Sequence, residues 1–495
     1  MPLLLLLLLT VACLPENWPL ILDWGSFRIN LLFASGLTWL GIALIIFAAA
    51  WLAHKVQLSI RAHPQARETL LQQYARRRYY HLLGLIGFYT LALYVLGWGW
   101  SIQSLGALVD ASEGKSHVLL PGTELLLLAP FLTGLLLSWA CFYDADRALN
   151  RGLIAAESSF WSRRTYVLFH LRHNLGLVFV PLILIMAQRG MRWLFSDGDS
   201  KWINVFSLAL PGAAFVGLPL LMRLVLVLKP MPSCELKDRL LAASRRLDFR
   251  CQIFLWDTHS RLANAMVVGV LPSLRYVLLS DRLVSELSGE EIEAVFGHEI
   301  GHVRHRHILF YCGFFVASVL ALQLLWALAT TQIEMLRDWF PTNEDWKTLP
   351  LVGLIGAYIF VVFGFLSRRC ERQADVFGCR AVSCGRPDCE SHDGGSALPP
   401  GGRALCSTGI RTFVDALEKV AHLNDVSRSR PGWLQSWQHS TIANRVEFLE
   451  RVMADRSLET RFQRRVGLVK WGLVLSLATV ILILVGIGGW NALFL

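Results

Sequence analysis

The sequence predicts a mainly α-helical, polytopic membrane protein of about eight transmembrane helices, with a cytoplasmic α+β domain carrying a small antiparallel sheet. Three observations carry that expectation. Of 495 residues, 54% are apolar and 17% charged, and the mean hydropathy is +0.46; a soluble chain of this size carries more charge and fewer long apolar runs. Stretches near 31–53, 81–100, 119–142, 174–190, 203–228, 308–330, 350–366 and 468–490 are long and apolar enough to cross a bilayer. The connections between them alternate between basic and mixed or acidic, which is what the excess of Lys and Arg on the inner side demands.

Taken in order, the chain begins with MPLLLLLLLTVAC, an apolar run that ends at Cys13, too short to span and without a basic leader. Its TVAC ending faintly resembles a lipoprotein cleavage site, with Thr10 where leucine is usual. Residues 54–80 hold Lys55, Arg61, Arg67, Arg76, Arg77 and Arg78, whereas 101–118 sets Lys115 alone against Asp110 and Glu113. Basic character returns at 143–173 and again at 229–307, so both long polar segments are expected inside and both termini outside. The net charge of +10 is then mostly a topology signal, and no nucleic acid is expected as a partner. Five segments follow: 1–228 with five spans, 229–307, a two-span stretch 308–366, 367–467, and a last span in 468–495.

Segment 229–307 opens with an amphipathic helix pattern. CQIFLWDT, NAMVVGVL and RYVLLSD then read as three short strands, with LPSL as the turn between the last two. A capping box, Ser288 with Glu291, starts the helix that contains VFGHEIGHVRHRH. On that helix His298 and His302 are four apart and face the same way, so two imidazoles can reach one ion, with Glu299 one step round near a water. A catalytic zinc needs a third protein ligand and one open position. His305 and His307 follow His302 too soon to complete that face, and read as solvated groups near the headgroups. A better candidate is SRRCERQAD, which places Glu371 and Asp375 four apart on a second helix at the inner end of the span 350–366. Cys379, Cys384, Cys389 and Cys406, with His392 among them, lie on the reducing side and lack a C-x-x-C pair, so a disulfide framework or second zinc is not the first expectation.

His298-Glu299-Ile300-Gly301-His302 with the downstream Glu371 and Asp375 resembles the membrane metalloendopeptidase family of HtpX and the type I CAAX prenyl proteases. The likeness covers residues 229–450 by motif and the earlier spans by topology. The resemblance implies a zincin-like fold and one catalytic Zn2+ held by His298, His302 and Glu371, with Glu299 as general base. It implies Asp375 as the carboxylate that orients a ligand histidine, and Asn264 and Ala265 as an edge strand that pairs with extended substrate. His439 and Arg445, in HSTIANR, match the family's HP…R element, although Ser440 stands where proline is usual. The expected protein is a zinc metalloendopeptidase of a bacterial inner membrane, cutting misfolded or membrane proteins at the cytoplasmic face. A protease for prenylated or other specific tails and a non-catalytic zinc-bearing scaffold are the alternatives.

Overall fold

Runs of 20 to 30 residues with few charges leave the backbone no cheaper arrangement than a helix, and the chain is mainly helical. The computed structural model describes residues 31–102, 123–150, 160–176, 179–194, 201–260, 262–332, 349–383, 405–424, 426–429 and 440–488. The N-terminal apolar run, Cys384, Cys389, His392 and His439 lie outside them. Two units are distinguished, Met1–Phe215 and Val216–Leu495.

The first unit holds α1 (Leu31–Ala62), α2 (Arg67–Tyr94), α3 (Thr123–Asn150), α4 (Arg163–Leu175) and α5 (Phe179–Leu194). Gly134 lets α3 close onto Leu85 and Ile42, 2.9 and 3.5 Å from where a Cβ would stand. Asp146, buried, accepts from Arg78 at 3.0 Å and from the Tyr166 hydroxyl at 2.6 Å, which ties α2, α3 and α4 together. The outer face of α1 exposes Leu40, Leu44, Phe47 and Trp51, an apolar exterior suited to lipid.

Helix α6 (Lys201–Val225) crosses the boundary between the units. The second unit continues with β1 (Lys229–Pro230), α7 (Glu235–Arg246), β2 (Gln252–Trp256), β3 (Ala265–Val268), β4 (Tyr276–Ser280), α8 (Asp281–Glu286) and α9 (Gly289–Arg304). It ends with α10 (His307–Gln332), α11 (Leu349–Ala381), α12 (Ser407–Leu423), α13 (Ile442–Ala454) and α14 (Ser457–Gly488).

Among the described residues three helices are long and apolar enough to cross a membrane, within Leu32–Ala62, Leu125–Leu149 and Ser457–Ile483. A fourth is counted if Gly289–Arg304 and His307–Leu322, bent by 44°, form one broken span.

The three predicted strands form, but the sheet is mixed, not antiparallel, with order β1-β2-β4-β3. β3 and β4 make an antiparallel hairpin, and β2 pairs with β4 in parallel. The chain leaves β2, passes to the far edge for β3, and returns to fill the middle with β4. That central position explains why all five residues of Tyr276-Val277-Leu278-Leu279-Ser280 are buried, a continuous apolar run instead of an alternating one. β3 is thereby left as the sheet edge.

α9 starts with the expected capping box: the Ser288 hydroxyl accepts from Glu291 N, and Glu291 accepts from Ser288 N. Its glycines set how near α11 can come. A Cβ at Gly297 would lie 2.3 Å from Ala381 Cβ, and one at Gly301 3.1 Å from Ala374 Cα. Gly297→Val is therefore expected to lose about 1–3 kcal/mol of stability by overpacking, read as an earlier thermal transition in detergent. An unchanged transition would mean that α9 and α11 do not meet there.

Candidate metal centre

The close crossing of α9 and α11 brings HEIGH against ERQAD. His298 and His302, one turn apart on α9, face Glu371 on α11, and one ligand atom of each lies within 4.8 Å of the others. The two imidazole Nε2 atoms are 3.2 Å apart; Glu371 Oε2 is 3.8 Å from His298 Nε2 and Oε1 is 3.6 Å from His302 Nε2. Ligands at ~2.05 Å in a tetrahedron stand about 3.3 Å from each other. The three edges are thus of the size a zinc ion requires, and two imidazoles with one carboxylate are donors zinc accepts. The group fits.

Behind the three candidate donors, His298 Nδ1 lies 3.0 Å from Asp375 Oδ1. Asp375 is fully buried and accepts from Arg445 through Nε at 2.9 Å and through Nη2. Burial pushes its carboxyl up, but the Arg445 guanidinium and the imidazole outweigh that and hold it below the ordinary aspartate value. The same pairing overcomes burial at Arg445 and raises its already high value. Arg445 is thus no surface arginine: it is 6% exposed, and Nη1 lies 3.7 Å from Glu371 Oε2.

Glu299 faces the sheet. Its Oε2 accepts from Val267 N at 3.1 Å, on the outward side of β3. Asn264 donates to the Ser280 hydroxyl at 2.9 Å and accepts from Ser280 N at 3.0 Å, so its main chain is turned inward to β4. By strand alternation the outward groups belong to Ala265 and Val267. Asn424, at the end of α12, accepts from Ala263 N at 2.9 Å and donates to Ala263 O at 2.7 Å, which occupies the edge just before Asn264.

These groups line one cavity of about 950 Å³, walled on one side by Phe413, Leu417 and Val420 and on another by Tyr311 and Phe363. His298, Glu299, His302, Glu371, Arg445, Asn264 and Ala265 all reach it; Asp375 stands behind His298, and His439 falls outside the described residues. His307 departs from its expected setting, being 1% exposed with Nδ1 3.0 Å from His302 Nδ1. The sequence reading also passed over Gln373, Lys470 and Asn424. Cys379 and Cys406 are buried, which suits packing.

Residues 234–392 match the model of peptidase family M48. The chain is 27% identical over 288 residues to the CAAX prenyl protease 1 homolog of Arabidopsis thaliana, covering 52% of this chain and 64% of that one. It is 30% identical over 198 residues to the protease HtpX homolog of Syntrophotalea carbinolica, covering 38% of this chain and 66% of that one. It spans somewhat less than two thirds of either relative. The crystal structure of S. mikatae Ste24p superposes with a TM-score of 0.44 at 15% identity, covering 85% of this chain and 99% of that one. The family match and the relatives' names agree with the resemblance read from the motifs. The matched residues 234–392 hold His298, Glu299, His302, Glu371 and Asp375, so the similarity to peptidase family M48 takes in the whole three-donor group and the carboxylates beside it.

Proposed function

We propose that the protein is a membrane-embedded, zinc-dependent endopeptidase that cuts misfolded or membrane proteins at the cytoplasmic face of a bacterial inner membrane. The observation that carries this reading is the meeting, in one cavity, of a three-donor ligand set, a carboxylate beside it and the open edge of β3. A structural zinc site would need a fourth protein ligand, and the three-donor group is His298, His302 and Glu371 alone among the described residues. The alternating basic connections support eight spans, the five-part division of the chain and an inward-facing site.

Zinc, when bound, supplies the Lewis acidity that lowers the pKa of water and polarises a scissile carbonyl. The chain does the rest. Substrate lies extended along β3 and pairs with the outward main-chain groups of Ala265 and with the Val267 carbonyl, with Asn264 and Ala265 marking the start of that edge. Glu299 takes the proton of the attacking water and passes it to the leaving amine. Its hydrogen bond from Val267 N keeps the carboxylate beside the substrate strand. Arg445, on the cavity wall, or His439 stabilises the developing oxyanion, and Asp375 holds His298 by its Nδ1.

Glu371→Ala is expected to lose zinc, measured as metal per protein after purification in detergent, and to lose cleavage of casein with it. Full zinc in that variant would remove Glu371 from the ligand set. A second reading, a protease for prenylated tails, is favoured by the name of the Arabidopsis relative and by the apolar cavity wall that includes Tyr311 and Phe363. It is decided by whether a farnesylated peptide is cut faster than its unmodified twin.

A further inference from the structure

The two ligand histidines are supported differently. His298 has a carboxylate behind it; His302 has another histidine. Two imidazole nitrogens 3.0 Å apart can share only one proton, so one of His302 Nδ1 and His307 Nδ1 must be the acceptor. The remainder of the cluster decides which. His307 Nε2 lies 3.0 Å from Gln373 Oε1, and that oxygen also accepts from Lys470 Nζ at 2.9 Å. At the other end of the same amide, Gln373 Nε2 donates to Gln463 Oε1 at 2.5 Å. Gln463 and Lys470 are seven residues, two turns, apart on one face of α14. Lysine can only donate, so the amide oxygen of Gln373 is fixed on the side of His307. The proton of neutral His307 then belongs on Nε2, its Nδ1 is the acceptor, and His302 must carry its proton on Nδ1. His302 Nε2 is left with a lone pair directed at His298 Nε2 and Glu371, where the ion would sit.

We propose that His307 is a positioning residue for His302, and that α14 sets its tautomer through Lys470, Gln463 and Gln373. The inference rests on the zinc reading above and adds to it a reason for the C-terminal helix. Lys470 also donates to His305 O at 2.9 Å, at the bend between α9 and α10, so the same side chain pins the end of the helix that bears both histidine ligands.

The experiment uses the full chain in detergent, with zinc affinity measured by competition against chelators and ligand geometry read from the visible spectrum of the Co2+ form. Gln373→Met removes the oxygen that selects the tautomer, and is expected to weaken zinc about 10–100-fold, as loss of such outer partners does, and to shift the Co2+ bands. Gln373→Glu keeps an acceptor toward both His307 and Lys470 and is expected to bind as the wild type does. His307→Leu is expected to be at least as weak as Gln373→Met; if it aggregates, the Met–Glu pair at 373 decides alone. Wild-type affinity and an unshifted Co2+ spectrum in Gln373→Met would overturn the proposal, as would equal losses in Gln373→Met and Gln373→Glu. A wild-type protein that binds neither metal would instead overturn the zinc reading itself, and this inference with it.

Discussion

Glu299→Gln is expected to retain zinc at the wild-type level and to lose turnover about 10²–10⁴-fold, the contribution of a positioned general base. The reasoning is geometric. Glu299 is on α9 between His298 and His302, but it is not one of the three converging donors; its Oε2 is hydrogen-bonded to Val267 N. Glutamine preserves size and, through its amide oxygen, can still accept from Val267 N, so both the metal set and the strand edge stay as they are. Only the ability to take a proton goes. Zinc content and casein cleavage, compared in the same preparations, test it. A variant that lost its zinc would make Glu299 part of the coordination, and one that kept its turnover would assign the base elsewhere.

What could be read from the sequence follows the range of the interactions concerned. The capping box of Ser288 and Glu291, the helical pairing of His298 with His302, and the three strands depend on neighbours within a few residues, and they form as expected. Glu371 comes from a helix far along the chain; its spacing from Asp375 at the inner end of a span made it a candidate, and the family likeness implied it as a ligand. Strand direction failed because it depends on which edge the chain visits first, and nothing local in NAMVVG says that β3 lies outside β4. His307 failed for a related reason. Spacing along one helix made it a poor ligand, but its role is set by Gln373, 66 positions on, and by Lys470, 97 positions beyond Gln373. The same holds for Arg445, taken at sequence level from a motif and found 70 positions from its carboxylate partner. The clamp of Asn424 on Ala263 spans 161 positions between a helix end and a strand edge, and no periodicity betrays such a contact.

The pair of Arg445 and Asp375 makes the second large expected effect. Both groups are buried, and Asp375 has zero exposure. Arg445→Met removes a guanidinium that donates through two nitrogens and leaves a carboxylate in the interior, 3.0 Å from His298 Nδ1. Breaking one side of a buried pair costs about 3–5 kcal/mol, because the surviving charge stays unsolvated. Removing both sides costs less than the sum, so Arg445→Met with Asp375→Leu is expected to be more stable than Arg445→Met alone. Stability and metal binding then separate. The double variant recovers folding but leaves His298 Nδ1 without its carboxylate, so its zinc affinity should remain about 10–100-fold down. The pH sense follows from the depressed carboxyl: the pair's contribution is complete above the ordinary aspartate value of 3.8 and is lost as pH falls through the lower folded value. Urea unfolding of the four variants of the cycle in detergent, with zinc measured in each, tests both parts. Additive stabilities would mean that the two side chains do not share their energy. Wild-type zinc affinity in the double variant would mean that Asp375 holds Arg445 but does not orient His298.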